Sequence, residues 1–526
     1  MKSKWLIAVV AAVVLVGGGA FAGMRFLSEP AVDDALGLAP KDSVVYVNAF
    51  LDPSTGQKMA LRDLLAKLPE YETPEAAGDA VAGLFDDALA DTGLNYREDI
   101  EPWVGKQLAV FVAASEEGGD PAVAVLVAAD DTDAALAAVE KAQTQESTDL
   151  TGQSYEGVDY QSNATGDQAT GVVEGFLVAG NEAGFKAAVD ASKGESLEDS
   201  EKFSSATDQL SKDRLALMYV DGGGLTQALQ QVNGLGAGFS STTPLAMQGL
   251  GGSGQPAAAV FFARADALVF EVSSTLPQSG AFSSLVEHVD EPGLVPELPA
   301  DSWGAFGVAG FGDVLRGLID GLAQSGVGLD PNVVRQQFKA QTGLDLDEDL
   351  LGWMGDLGIA VQGTSLQNLS GGAVISSRNP ETSSATVDKL AALAARSGVP
   401  LEPLSVPGYR GYSFSDPSMP QAIDVLAGDE VIIAYGHETA RELANSTSTL
   451  ADDPSYKKAA EALGGDFAVS GYVSIPPVVA LVESFAPVDP AYEKDVKPFL
   501  DAARFVVSGA RVDGDEVMQR VVIGIE

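Results

Sequence analysis

Residues 92–105 read TGLNYREDIEPWVG, and residues 342–355 read TGLDLDEDLLGWMG. A Thr-Gly-Leu triplet, a Glu-Asp pair and a Trp-x-Gly ending recur at identical spacing, 250 positions apart and without a gap. Further pieces repeat in the same order on either side. Pro40-x-Asp42-Ser43 before an apolar run matches Pro299-x-Asp301-Ser302, and Tyr155-x-Gly157 matches Tyr409-x-Gly411. Phe203 with Tyr219 matches Tyr456 with Tyr472 at constant separation. A collinear series of this kind marks a duplicated unit. The chain is therefore expected to comprise an N-terminal anchor or signal peptide (1–27), a tether (28–35), a first copy (36–278), a junction (279–294) and a second copy (295–526).

Each copy reads as α+β. Apolar runs at 44–50, 107–113 and 122–129 predict strands, the latter two as a hairpin across Gly118-Gly119-Asp120. Helical spacing appears at 59–68, 77–91, 132–143, 182–191 and 200–210. Strands are expected near 155–161, 171–179 and 214–220, and each copy closes on a hairpin, at 257–275 and 503–525. In the second copy Asn379-Pro380-Glu381 supplies a cap and a first-turn proline for a helix. Hairpins alternating with helices favour a largely antiparallel sheet with helices packed on one face.

Of the 526 residues, 31 are basic and 75 acidic, leaving a net charge of −44. Such a surface repels phosphate backbones, so nucleic acid is not an expected partner. The absence of cysteine removes disulfides, thiolate metal sites and thiol nucleophiles. With only His288 and His437 present, chemistry that needs several histidines is excluded. Lys2 and Lys4 precede an uncharged run from Trp5 to Met24. As a helix those twenty residues span roughly 30 Å, the thickness of a bilayer core. Basic residues before the run and acidic ones after it place the N-terminus in the cytoplasm and the bulk of the chain outside. Ala20-Phe21-Ala22 also fits a signal-peptidase site, so cleavage after Ala22 would give a secreted form.

The exported N-terminal segment, the Pro-x-Asp-Ser opening and the Trp-x-Gly block at Trp103/Gly105 and Trp353/Gly355 together resemble the DUF3352 family of bacterial proteins. The resemblance covers nearly all of the exported chain. It implies location and fold, and because the family's function is unassigned it supplies no catalytic residues.

Several motifs invite a chemical reading. Trp103 and Trp353 suit a helix-to-strand corner, with Gly105 and Gly355 allowing a tight turn, better than a ligand stack, since a binding site tends to diverge after duplication. Asp345, Asp347, Asp349 and Asp356 occupy positions 1, 3, 5 and 12 of an EF-hand-like loop and form a weak candidate cation site. Leu350 stands where that loop needs glycine, and Asn95, Arg97, Asp99 and Lys106 replace the set in the first copy. The letters of Gly249–Gly254 match a dinucleotide fingerprint, but a strand follows them where a helix is required. Leu235, Phe239, Leu245, Met247 and Leu250 lie among glycines and form a candidate ligand or partner loop.

No hydrolase, P-loop or zinc-protease motif is present, and no cofactor is expected. The expected function is a non-enzymatic binding or scaffold module of the bacterial cell envelope, with an envelope protein or a hydrophobic ligand as partner. The alternatives are a lipid or hydrophobic-ligand carrier and a carboxylate-based hydrolase.

Overall fold

The octapeptide Ala122–Ala129, AVAVLVAA, is apolar at every position, and six consecutive residues of it are buried. A strand buried on both faces needs cover on both, so the sheet around it is a central layer. That overturns the expectation of helices on one face only. The computed structural model describes residues 32–68, parts of 79–89, 92–114, 120–146, 150–224, 255–275, 288–321 except 292, 330–416, 419–485, and 492–526 except 494 and 495. The chain forms two units, Met1–Thr275 and Leu276–Glu526. Among the described residues no helix is long and apolar enough to cross a membrane. The segment 1–27 lies outside them.

In the first unit the strands are β1 (Ser43–Phe50), β2 (Val104–Ala113), β3 (Ala122–Ala129), β4 (Thr151–Tyr155), β5 (Val158–Ser162), β6 (Ala169–Val173), β7 (Phe176–Gly180), β8 (Ala216–Asp221), β9 (Pro256–Arg264) and β10 (Ala267–Thr275). Every pairing is antiparallel, in the order β10-β9-β8-β1-β2-β3-β7-β6-β5-β4. The strands expected near 155–161 and 171–179 are each replaced by a two-strand hairpin. Glu156-Gly157 and Glu174-Gly175 take positive φ at both positions, the conformation of two-residue primed turns. An apolar pattern does not reveal such turns when the first residue is glutamate.

Among the described residues, the helices with defined bounds in this unit are α1 (Thr55–Leu65), α2 (Thr132–Glu146), α3 (Glu182–Lys193) and α4 (Glu201–Thr207). On one face Ala135, Ala138 and Val139 of α2 pack with Leu108, Val110, Val125, Val127, Leu177 and Ala179. On the other face α3 lies so close to β3 that a Cβ at Gly184 would stand 2.2 Å from the Val123 carbonyl oxygen. Phe185 of α3 stacks on Tyr160 with ring centroids 4.7 Å apart. Each large apolar side chain buried in this way contributes about 1.5–3 kcal/mol.

The second unit holds β11 (Gly304–Val308), β12 (Met354–Gln362), β13 (Ser370–Ser377), β14 (Leu401–Val406), β15 (Tyr409–Phe414), β16 (Ile423–Ala427), β17 (Glu430–Tyr435), β18 (Ala468–Ser474), β19 (Ala503–Asp513) and β20 (Glu516–Ile525). Its order is β20-β19-β18-β11-β12-β13-β17-β16-β15-β14, again wholly antiparallel. Strand for strand this is the connectivity of the first unit. The helices are α5 (Phe311–Gly321), α6 (Pro331–Thr342), α7 (Pro380–Arg396), α8 (His437–Asn445), α9 (Pro454–Leu463), α10 (Ile475–Phe485) and α11 (Lys497–Ala502). The fold class is α+β, with a large antiparallel sheet and helices.

Candidate functional site

Identical connectivity allows the two units to be compared position by position. One row of cross-strand neighbours in the first unit runs Val47, Val110, Val125, Ala179, Thr170, Gln161. The matching row of the second unit runs Phe306, Ile359, Ala373, Ile433, Val425, Tyr412. Helix α2 lies over the first row and α7 over the corresponding part of the second.

Their seating differs. In the second unit α7 packs against β15, β16 and β17. Tyr412 and Val425 fill the space beneath it, beside Ile375 and Val387. Thr386 of α7 donates a hydrogen bond to the Asp349 carbonyl at 2.5 Å, and the Tyr412 hydroxyl donates to Asp388 at 3.1 Å. In the first unit alanine stands at 138, where α7 has Thr386, and Gln161 and Thr170 stand in place of Tyr412 and Val425. The large apolar fillers are therefore missing on the β4–β6 side of α2, which is left open, and a separate space lies on its other flank.

One flank is an apolar slot between α2, the sheet and the 94–104 segment, enclosing about 70 Å³. Trp103, Ile100, Leu108, Leu177, Ala138 and Ala142 are among its walls, and no polar surface lines it. A single water needs about 10–15 Å³ and two or more polar partners. The slot has the room and lacks the partners, so an apolar group is its favoured occupant. The other flank is a groove of about 1180 Å³ between the outer face of α2 and strands β4–β6. Val139 borders both spaces.

The repeated tryptophans build this region without being ligands in themselves. Trp103 Nε1–H donates to the Asp99 carbonyl, and Trp353 Nε1–H donates to the Asp349 carbonyl at 3.0 Å. Each closes a short π-helical turn, Tyr96–Ile100 or Leu346–Leu351. The carboxylates of the same aspartates take Lys141 and Lys389 from the overlying helices, at 2.6 and 2.9 Å. A Cβ at Gly105 would meet the Ala128 backbone at 3.0 Å, and one at Gly355 would meet Ser376 Oγ at 2.3 Å. In the first unit the motif thus supplies the Trp103 wall of the slot.

The four aspartates of the candidate cation site are not brought together. Asp345 caps its turn through the N–H groups of Asp347 and Glu348 and pairs with Lys339 at 3.1 Å. Asp347 is held by Arg335 at 2.6 Å, Asp349 by Lys389, and Asp356 accepts from the Gly310 N–H at 2.8 Å. The Glu348 N–H in particular holds the Asp345 carboxyl below its usual range, and the Asp345 N–H does the same for Asp349. Among the described residues no three His, Asp or Glu side chains could share a metal ion. Positive side chains and backbone donors already engage these carboxylates where a cation would have to sit. The loop residues Leu235, Phe239, Leu245, Met247 and Leu250 lie outside the described residues. His288 pairs with Glu291 at 2.9 Å, and His437 with the fully buried Asp424 at 2.7 Å.

A buried polar cluster escaped the sequence reading. Asp33 Oδ1 accepts from the Tyr46 hydroxyl at 2.7 Å and from Asn48 Nδ2 at 2.6 Å. Asp33 Oδ2 and Arg214 Nη1 are buried without hydrogen-bond partners. Burial pushes the Asp33 carboxyl up from 3.8 to about 6, against the pull of the Tyr46 hydrogen bond, Arg214 and Asn48. The signal available was the polar pair Tyr46 and Asn48 on one face of an otherwise apolar strand, where the second copy carries Ala305 and Gly307.

The family model of DUF3352, described as a protein of unknown function, matches residues 7–516. No curated protein matches the chain. Among solved structures, TP0453 in crystal form I is 12% identical with a TM-score of 0.24, covering 47% of this chain and 81% of its own. Crystal form III of TP0453 is 11% identical with a TM-score of 0.24, covering 48% and 82%.

Proposed function

We propose, for a chain that belongs to the DUF3352 family of proteins of unknown function, a non-enzymatic binding role in the bacterial cell envelope, with an apolar chain as ligand. In this reading residues 1–27 hold the protein in the membrane with the N-terminus cytoplasmic, and the bulk of the chain is extracytoplasmic. The end of the ligand's acyl chain, or a group of similar shape, enters the slot of the first unit. One observation carries the reading: the slot closes beneath α2 beside Trp103 and no polar surface lines it. A predominantly apolar enclosed space is the kind of site that takes an apolar group.

The test is photolabelling of the full chain in detergent-free nanodiscs with a diazirine-bearing palmitate, followed by peptide mapping. Adducts are expected on the 96–108 and 132–146 peptides and should be lost in Ala142→Phe and in Ala138→Leu, both of which fill the slot. Absence of adducts on those peptides, or equal labelling in both variants, would overturn the reading.

A further inference from the structure

The groove on the other flank of α2 differs chemically from the slot. Helical spacing sends Asp133, Glu140 and Gln143 to the outer face of α2, while Ala135, Ala138, Val139 and Ala142 turn to the sheet. Opposite them the exposed face of the β4–β6 strands presents Ser154, Asp159 and Gln161. Carboxylates thus alternate with carboxamides and a hydroxyl, so acceptors and donors face each other across the gap. No lysine or arginine stands among the described residues that line it.

Thr170 makes the second, independent observation. Only 4% exposed, it lines the groove at the point where Val425 plugs the second unit. Its side chain shares the face of Ala179, its cross-strand neighbour, and therefore points toward α2. Its hydroxyl is buried and has no hydrogen-bond partner in the protein. A buried hydroxyl left unmet is destabilising, so its natural complement is a polar group arriving from the groove.

We propose that this groove binds an uncharged, hydroxyl-rich group, that is, a saccharide. Anionic ligands meet three carboxylates and no compensating base. A metal ion is disfavoured because those carboxylates are spread along the groove and do not converge. A sugar uses both halves of the lining: its hydroxyls donate to Asp133, Glu140 and Asp159 and accept from Gln143, Gln161 and Thr170. The site does not depend on the slot being filled, and Val139 stands as a wall between the two.

Saturation-transfer NMR on the full chain in nanodiscs tests this with a neutral panel of maltotriose, cellotriose, chitotriose and mannotriose, beside dodecyl maltoside and dodecylphosphocholine. Transfer to at least one saccharide or to the maltoside head is expected. In Thr170→Val or Gln161→Leu, affinity should fall about 5-fold or more, as expected for one lost hydrogen bond of about 1 kcal/mol. Glu381→Gln, in the polar cleft of the second unit, should leave it unchanged. Binding of free trisaccharides makes the source a soluble or polymeric glycan; binding of dodecyl maltoside alone makes it a glycolipid. No transfer to any sugar, equal transfer in both groove variants, or loss in Glu381→Gln overturns the proposal. Because palmitate labelling reads the slot separately, either site can fail while the other stands.

Discussion

Asp33 shows how one side chain can tie stability to pH. Its folded carboxyl, at about 6, binds its proton more tightly than an unfolded aspartate at 3.8. The contribution it makes is full below pH 3.8 and is lost as the pH rises through about 6. Asp33→Asn should remove that dependence, so the wild-type melting temperature should fall relative to the variant between pH 4 and 7. Parallel melting curves across that range, followed by circular dichroism, would refute the assignment. Carboxylates such as Asp345 and Asp349, held down by backbone N–H groups and lysines, act in the opposite sense and lose their contribution as the pH falls below the normal carboxylate range.

Between residue and molecule, equivalent strands of the two units bury different rows. In the first unit the apolar cluster spans the row of Leu108, Val127 and Leu177 and also that of Val110, Val125 and Ala179. In the second it gathers on Leu357, Ile375 and Val431, leaving Phe306, Ile359 and Ile433 exposed by 47%, 38% and 42%. Val125 is fully buried at the register position of Ala373, next to Ile433. Val125→Thr should therefore cost about 1–3 kcal/mol, from a hydroxyl buried without a partner, while Ile433→Thr should stay within about 0.5 kcal/mol. Urea unfolding of the two variants measures the contrast, and equal losses would contradict the burial assigned to the rows.

For the molecule as a whole, the net charge of −44 is a self-repulsion that the fold must outweigh. Raising sodium chloride from 0.05 to 0.5 M shortens the screening length from about 14 Å to about 4 Å, so melting should shift upward with salt. A melting temperature that falls or stays flat across that series would show that local ion pairs, such as those of Arg335 and Lys389, outweigh the global term.

Much of this architecture was legible in the chain before folding. The T-G-L…E-D…W-x-G spacing marked equivalent corners because one tryptophan donor must reach one carbonyl four residues back, a local constraint. Alternation and turn residues exposed the antiparallel strands for the same reason. The zero cysteine count and the charge set exclusions that no packing could alter. The 156–157 and 174–175 turns hid because positive φ at glutamate leaves no compositional mark. Only the tertiary structure decided where open space remains. Whether Ala138 leaves a slot, or Thr170 an unmet hydroxyl, depends on how far a helix settles onto strands distant in sequence. That distance is a sum over many side-chain volumes, and no single position in the sequence carries it.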